Sequence, residues 1–317
     1  MRYIKLSLSG GGVKCIAHIG LIRYLIEKEY IPIQLCGVSG GAIISGLYSY
    51  FISKGLDPYS AYKSILDLIS KIDISSFKDI SILSVLSIPF TDGKNFGFVK
   101  GKKIHDFLLS TTERMKFKDL KIDLYITATE FTTGRLVVFS NYTTPEVLLA
   151  DAIRSSISIQ GIFKPFKIKP DLVRNSIFET NSIYSNIIDD HTFSRISSEG
   201  YIYLIDGGNL GNCRNDILLD SVNSLPVIGC SLSYENDYRP NVSIIGIFNH
   251  TIDIMINSME DFIDRFSDRD ITIKPSVNVG TTDFNIGKDK ILEIIDSTYE
   301  YVKSKDEIIT LFIEGRN

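Results

Sequence analysis

Two hydrophobic periods alternate along the chain, and the points where one gives way to the other outline its elements. Residues 3–8 ("YIKLSL") alternate apolar and polar side chains and predict a strand. Ile16, Ile19, Ile22, Leu25 and Ile26 then recur at helical spacing across 16–29. A second strand at 33–38 and a second helix at 40–53 follow, the helix stopping before Gly55. Asp57 and Pro58 read as a cap and a first-turn proline that open a third helix to about Ile72. Apolar residues at 79–88 and the stretch from Lys102 to Thr112 predict two more.

The period then shortens to two. "LYITATEFTTGRLVVFS" (124–140) predicts a hairpin whose strands are separated by Thr132, Thr133 and Gly134. Thr144, Pro145 and Glu146 again read as cap, proline and acid, and predict a helix through "EVLLADAIRSS". Residues 171–199 mix Asn, Ser and Asp with isolated apolar residues and show no clean period, which predicts a long loop or lid, with room for a short hairpin. "YIYLID" (201–206) and "LPVIGCSLS" (225–233) carry buried-strand patterns. Helices at about 243–265 and 288–304 enclose the strand-like "DITIKPSVN".

Strands alternating with helices predict the α/β class, a three-layer α/β/α arrangement with a mainly parallel central sheet. No internal repeat or proline-rich linker divides the chain. Residues 1–317 therefore read as one domain, with an insert or lid at about 166–200 and a helical C-terminal part from about 241. Leu35 to Ile52 carries no charge and approaches the ~18-residue length of a membrane span. Glycines at 37, 40, 41 and 46 interrupt it, and a core strand followed by a buried helix explains it better.

Composition narrows the partners. A net charge of −4 offers no Lys/Arg surplus for neutralising phosphates, so nucleic acid is not the expected partner. The N-terminus reaches its glycines without the apolar core of a signal peptide, which predicts a cytoplasmic protein, at most peripheral at membranes. Cys15, Cys36, Cys213 and Cys230 are scattered singly and read as buried free thiols of a reducing compartment. Their spacing and that of the four histidines do not suit zinc, and no cofactor is expected.

The candidate chemistry sits in three glycine turns. Gly37-Val38-Ser39-Gly40-Gly41 has the G-x-S-x-G form of a nucleophile elbow, a strained strand-to-helix turn with the helix dipole behind the hydroxyl. The bland alternative is a tight turn packed under a neighbouring strand. Gly10-Gly11-Gly12-Val13-Lys14 lacks the spacing of a dinucleotide fingerprint or a P-loop. It reads as a nest of backbone N–H groups for an anion, with Lys14 either adding charge or lying on the surface. Asp206-Gly207-Gly208 ends an apolar strand, where a poorly solvated carboxylate becomes a stronger base. A plain Asp-Gly turn is its alternative. His18, His105, His191 and His250 do not stand at a strand end, where a triad histidine belongs; His250 is the best of them for a Ser-His-Asp esterase.

Together the early GGG-x-K loop, the G-x-S-x-G turn and the distant D-G-G resemble the patatin-like phospholipases. "TATEFTTGRLVVF", "AIRSSISIQGIFKP" and Asn212 are similar to further blocks of that family, so the resemblance runs from about Tyr3 to Leu232, the insert excluded. It implies a lipid acyl hydrolase of phospholipase A or lysophospholipase type, with a Ser–Asp dyad and no histidine or essential metal. Carried over, Ser39 is the nucleophile, Asp206 the general base, and the amides of Gly11, Gly12, Val13 and Gly40 the oxyanion hole. Cys15 and Gln160 depart from the family's usual glycine and proline, and the insert is long. Helices at 43–52 and 79–90 are expected to wall an acyl chain. "GIFKPFKIKP" (161–170) is expected to meet a membrane, lysines on anionic headgroups and phenylalanines below them. A non-catalytic lipid- or nucleotide-binding module that keeps the loops is the remaining alternative.

Overall fold

Ile4, Leu6 and Leu8 alternate with Lys5 and Ser7 in strand β1 (Arg2–Leu8), and all five side chains are buried, so both faces of this strand are covered. The structure is a computed structural model and describes residues 1–79, 97–219, 224–232, 270–281 and 283–315. The helix expected at 79–88 beyond Asp79, the helix at 243–265 and His250 lie outside the described residues.

The sheet has the order β5-β6-β3-β2-β1-β7-β8, with β4 also paired to β3. Its strands are β2 (Tyr30–Val38), β3 (Asp123–Glu130), β4 (Arg135–Ser140), β5 (Phe166–Ile168), β6 (Ile202–Asp206), β7 (Val227–Cys230) and β8 (Asp270–Ile273). The run β3-β2-β1-β7-β8 is parallel throughout, while β4 and β6 are antiparallel to β3, and β5 to β6. The α/β class with a mainly parallel sheet is thus observed, in mixed form. Helices α1 (Ala17–Glu27), α2 (Gly40–Ser53), α3 (Pro58–Lys71), α4 (Lys102–Thr111) and α5 (Leu149–Ser156) contribute to the main core with Ile4, Leu6, Leu8, Leu124 and Ile126. The alternate strand positions, among them Cys36, Leu136 and Val138, form a smaller cluster on the other face with Phe178 and Ile217.

Several boundaries match the sequence pattern. Asp57 caps α3 by accepting the N–H groups of Tyr59 and Ser60, with Pro58 in its first turn. The hairpin β3–β4 turns at Gly134, where φ is +66°. Others differ for identifiable reasons. β2 begins three residues before the expected start: Tyr30, Ile31 and Pro32 pair with Arg2, Tyr3 and Ile4, and the ladder then skips Ile33 before Gln34 pairs with Lys5. Thr144 does not cap a helix: its Oγ1 accepts the Ser140 N–H at 3.0 Å and closes the turn after β4. Leu148 then bridges Lys116, and α5 starts only at Leu149.

The aperiodic segment 171–199 is folded onto the sheet edge. Ile177 bridges Val137, Phe178 bridges Ile187, and Asp189 caps a short helix, α6 (Asp190–Ile196), that the sequence pattern did not predict. Asn181 ties this segment to the chain after β6, its Nδ2 donating to the Leu210 carbonyl at 2.6 Å. Arg214, 1% exposed, donates from Nη1 to Asn181 Oδ1 at 2.9 Å and grips both oxygens of Asp216, beside the short helix α7 (Asn215–Leu218). Helices α8 (Lys288–Lys303) and α9 (Asp306–Glu314) close the chain, α8 packing along α1.

Arg214→Ala should lower unfolding stability by about 3 kcal/mol, since it strands Asp216 and Asn181 without their donor. Urea titration of the purified protein checks this; a midpoint equal to wild type would contradict the tie.

Candidate active site

Ser39 stands between β2 and α2 with φ +49° and ψ −121°, a conformation that costs a non-glycine residue about 1–3 kcal/mol. The surroundings hold it there. Its N–H donates to Ser156 Oγ at 2.8 Å, and its carbonyl accepts from Ala42 at 2.9 Å. The glycines of the motif follow from close packing. A Cβ on Gly41 would strike the Leu8 carbonyl oxygen, and one on Gly37 the Ser45 hydroxyl.

Strand β3 brings the second residue to it. β4 occupies one edge of β3, so β2 and β6 must share the other. β2 runs along its first half and ends with Val38 opposite Thr127; β6 runs the opposite way along the second half and ends with Asp206 opposite Ala128. The two strands therefore arrive head-on at adjacent positions. Ser39 Oγ donates to Asp206 Oδ2 at 2.6 Å. The other carboxylate oxygen, Oδ1, accepts the Gly208 N–H at 2.8 Å. Thr129 Oγ1 and Asn209 Nδ2 both donate to the Asp206 carbonyl, at 3.0 and 2.7 Å. Gly207 lies against the Thr127 carbonyl.

Ser39 and Asp206 are 4% and 6% exposed, so water contributes little to either. Burial pushes the Asp206 carboxyl up to about 6, while the Ser39 hydroxyl and the Gly208 N–H pull it back. A buried carboxylate held near neutrality beside a hydroxyl is suited to taking a proton from it.

The glycine turn passes directly over the serine, a Cβ on Gly10 falling 2.9 Å from Ser39 Cβ and into the Asn212 side chain. The Gly10 N–H donates to the Asn212 carbonyl at 3.1 Å. His18, buried in α1, donates from Nε2 to the Ser9 carbonyl at 2.8 Å; burial pushes its pKa down to about 4, so the ring stays neutral. Gly11 and Gly12 have φ of +149° and +55°. The N–H groups of Gly11, Gly12 and Gly40 make no hydrogen bond to another described residue. Val13 differs from its expected place in the hole, because its N–H donates to the Thr281 carbonyl at 3.0 Å. Lys14 is buried, which removes its surface alternative. Cys15 packs against Gly40, and burial raises its thiol to about 12, so it stays protonated.

The other predicted residues lie apart. His105 Nε2 pairs with Asp151 Oδ1 at 2.7 Å, and His191 is exposed on α6. Among the described residues, no histidine bonds Ser39 or Asp206. All four cysteines are buried and free of disulfides.

A largely apolar cavity, partly open to solvent, has Ser39 and Gly40 in its lining. Of the wall expected at 43–52, Ile43 lines it, while Ile44, Leu47 and Tyr48 belong to the core; Ile69, Phe77, Phe107, Phe163 and Phe284 were not foreseen as walls. The expected wall at 79–90 lies outside the described residues beyond Asp79. The stretch 161–170 does not present its phenylalanines as expected. Phe163 is buried in the cavity wall, and Phe166 packs edge-on to His105 at 5.2 Å, so neither ring faces out toward a membrane. The cause is pairing: Phe163 bridges Val99, and β5 zips onto β6, leaving Lys167 and Lys169 outward. Sequence reasoning missed Ser156, Ser158, Thr129 and Asn209, which hold Ser39 and Asp206 by their backbones. The block "AIRSSISIQGIFKP" carried the signal for the first two.

Comparison with known proteins bears on the family and the fold. The family model described as patatin-like phospholipase matches residues 6–219. The Bacillus subtilis protein YqhO is 29% identical over 314 residues, covering 93% of this chain and 94% of its own. Lysophospholipase nte1 of Neurospora crassa is 25% identical over 230 residues, 71% of this chain but only 13% of that much longer protein. Among solved structures, human GIVD cytosolic phospholipase A2 superposes with a TM-score of 0.55 at 9% identity, covering 99% of this chain and 60% of that one. With its three glycine turns assembled around one serine and one aspartate, the chain belongs to the patatin-like phospholipase family.

Proposed function

We propose that the protein is a serine-dependent carboxylic ester hydrolase of phospholipase A or lysophospholipase type. The observation that carries this reading is the 2.6 Å contact between Ser39, which lines an apolar cavity, and Asp206. Family membership supports lipid ester hydrolysis, and the cavity suits a fatty acyl chain with its ester carbonyl at Ser39.

In this reading Ser39 Oγ attacks the ester carbonyl carbon while its proton passes to Asp206 Oδ2. The carbonyl oxygen becomes an oxyanion beside the amides of Gly11, Gly12 and Gly40, with the N-terminus of α2 behind it. Loss of one such donor typically costs ~10²–10³ in rate. Collapse of the intermediate breaks the ester C–O bond. The leaving alkoxide takes the proton from Asp206, and the acyl group remains on Ser39. Water then attacks the acyl-enzyme, giving a proton to Asp206. The second collapse releases the fatty acid and returns that proton to Ser39 Oγ. The Val13 N–H, bonded to Thr281, has no part in this assignment.

A fluorophosphonate probe should label wild-type protein and not Ser39→Ala, and Asp206→Ala should cut labelling and phospholipid hydrolysis by about 10³-fold or more. Labelling of Ser39→Ala at the wild-type rate would end the reading. For pH, the base must be ionised, so kcat/KM on a soluble ester should fall about tenfold per unit below pH 6. An acid limb near pH 4 would contradict a buried base. Stability runs the other way. A carboxyl whose folded pKa is raised stabilises the fold below its unfolded value and loses that contribution as pH climbs through about 6. Asp206→Asn should therefore be more stable than wild type at pH 7.5, by up to about 3 kcal/mol, with the difference fading toward pH 4 in thermal melts. Peripheral contact with anionic lipid is assigned to the lysines alone. Replacing Lys164, Lys167 and Lys169 by Glu should weaken sedimentation with anionic vesicles while sparing a soluble ester; unchanged sedimentation removes that contact.

A further inference from the structure

The stretch "AIRSSISIQGIFKP" (152–165) supplies no reacting group, yet it touches both reacting residues through their backbones. Ser156 Oγ accepts the N–H of Ser39 at 2.8 Å. Two residues on, the Ser158 carbonyl accepts the N–H of Asp206 at 3.0 Å. Ser156 ends α5, Ser158 lies in the turn that follows, and both are 0% exposed.

That turn is itself tightly anchored. Ser158 Oγ donates to the Arg154 carbonyl at 2.8 Å and accepts from Arg154 Nη1 at 2.6 Å. The remaining guanidinium nitrogens of Arg154, a residue 2% exposed, donate to the carbonyls of Gly101, Lys100 and Lys164. The rings of Phe163 and Phe166 flank the same guanidinium. Rotation of this turn would therefore break several buried hydrogen bonds at once.

Its reach matters because β2 and β6 are not paired with each other; each is bonded to β3, where their ends meet. Ser39 also needs an external restraint to keep φ at +49°, and its buried amide has no water to turn to. We infer that the turn Ser156–Ser158 is a positioning bracket, in which Ser156 holds the backbone of the nucleophile, Ser158 holds the backbone of the base, and their fixed spacing sets the Ser39–Asp206 contact. The catalytic consequence rests on the function proposed above. Ser156 is a positioning residue, since it bonds the nucleophile's main chain and does not line the cavity.

The test compares Ser156→Ala with Ser155→Ala. Ser155 is equally buried on the same helical turn, but its hydroxyl bonds the Asp151 carbonyl at 2.7 Å, within its own helix. Ser156→Ala should lower kcat on a short soluble ester about 100-fold with KM unchanged, the effect expected of a small misplacement of the attacking atom. Ser155→Ala should stay near wild type, and Ser156→Thr, which keeps the accepting oxygen, should recover most of kcat. Wild-type kcat in folded Ser156→Ala, or an equal loss in Ser155→Ala, overturns the bracket. If Ser156→Ala does not fold, the near-isosteric Ser156→Cys, a weak acceptor, replaces it with the same criteria. A second readout is independent of activity. Amide hydrogen exchange at Ser39 should be about tenfold faster or more in Ser156→Ala than in wild type and Ser155→Ala. Equal protection in all three overturns the bracket, whereas the expected exchange difference in a wild type inert toward esters supports the bracket and counts against the proposed function.

Discussion

The hydrogen bond from Ser39 to Asp206, 2.6 Å long and almost dry, sets the terms for everything around it. A carboxylate in water would be too weak a base to assist a serine, and one buried without donors would hold its proton at neutral pH. Asp206 lies between these limits. Burial raises its pKa to about 6, and two donors, Ser39 and Gly208, hold it there. The cost is borne by the fold, which carries a destabilised carboxylate and a strained serine side by side. Sites of this kind need a rigid frame, and the mixed, mainly parallel sheet, with apolar clusters on both faces, is that frame.

Within the frame, β3 has the decisive part. Because β2 and β6 approach each other along one of its edges, two residues separated by 166 others are placed at neighbouring register positions. The glycines then let three loops converge where ordinary side chains would collide. Gly10 passes over the serine, Gly41 tucks under the end of β1, and Gly207 lies on β3. Gly12 and Gly40 line the apolar cavity together with Ser39, and the N–H groups of Gly11, Gly12 and Gly40 make no hydrogen bond to another described residue. Thr281 adds a restraint of its own, bonding the Val13 amide and lying against Gly12.

Much of this was legible in the chain. Alternation and capping residues located β1, α2, α3 and the β3–β4 hairpin, because local propensity and tertiary packing agree there. Ser39 and Asp206 were legible because their turns demand glycine at particular places. What stayed hidden depends on partners far away in sequence. Thr144 has the grammar of a helix cap but serves the turn after β4. Phe163 and Phe166 look like a membrane-facing pair beside lysines, yet pairing with Val99 and with β6 turns them inward. Val13 belongs by position to the glycine turn, and only the fold reveals that Thr281 claims its N–H. The segment 171–199 lacks a period because its apolar residues are spent singly, on bridges and on one short helix.

The most direct measurement is a crystal structure of the protein after reaction with a long-chain fluorophosphonate, whose phosphorus stands for the carbonyl carbon and whose phosphoryl oxygen stands for the oxyanion. The account requires a bond from Ser39 Oγ to phosphorus, the phosphoryl oxygen within hydrogen-bonding reach of the Gly11, Gly12 and Gly40 amides, Asp206 still beside Oγ, and the chain in the apolar cavity. An adduct on another residue, or a phosphoryl oxygen turned away from those amides, would contradict it.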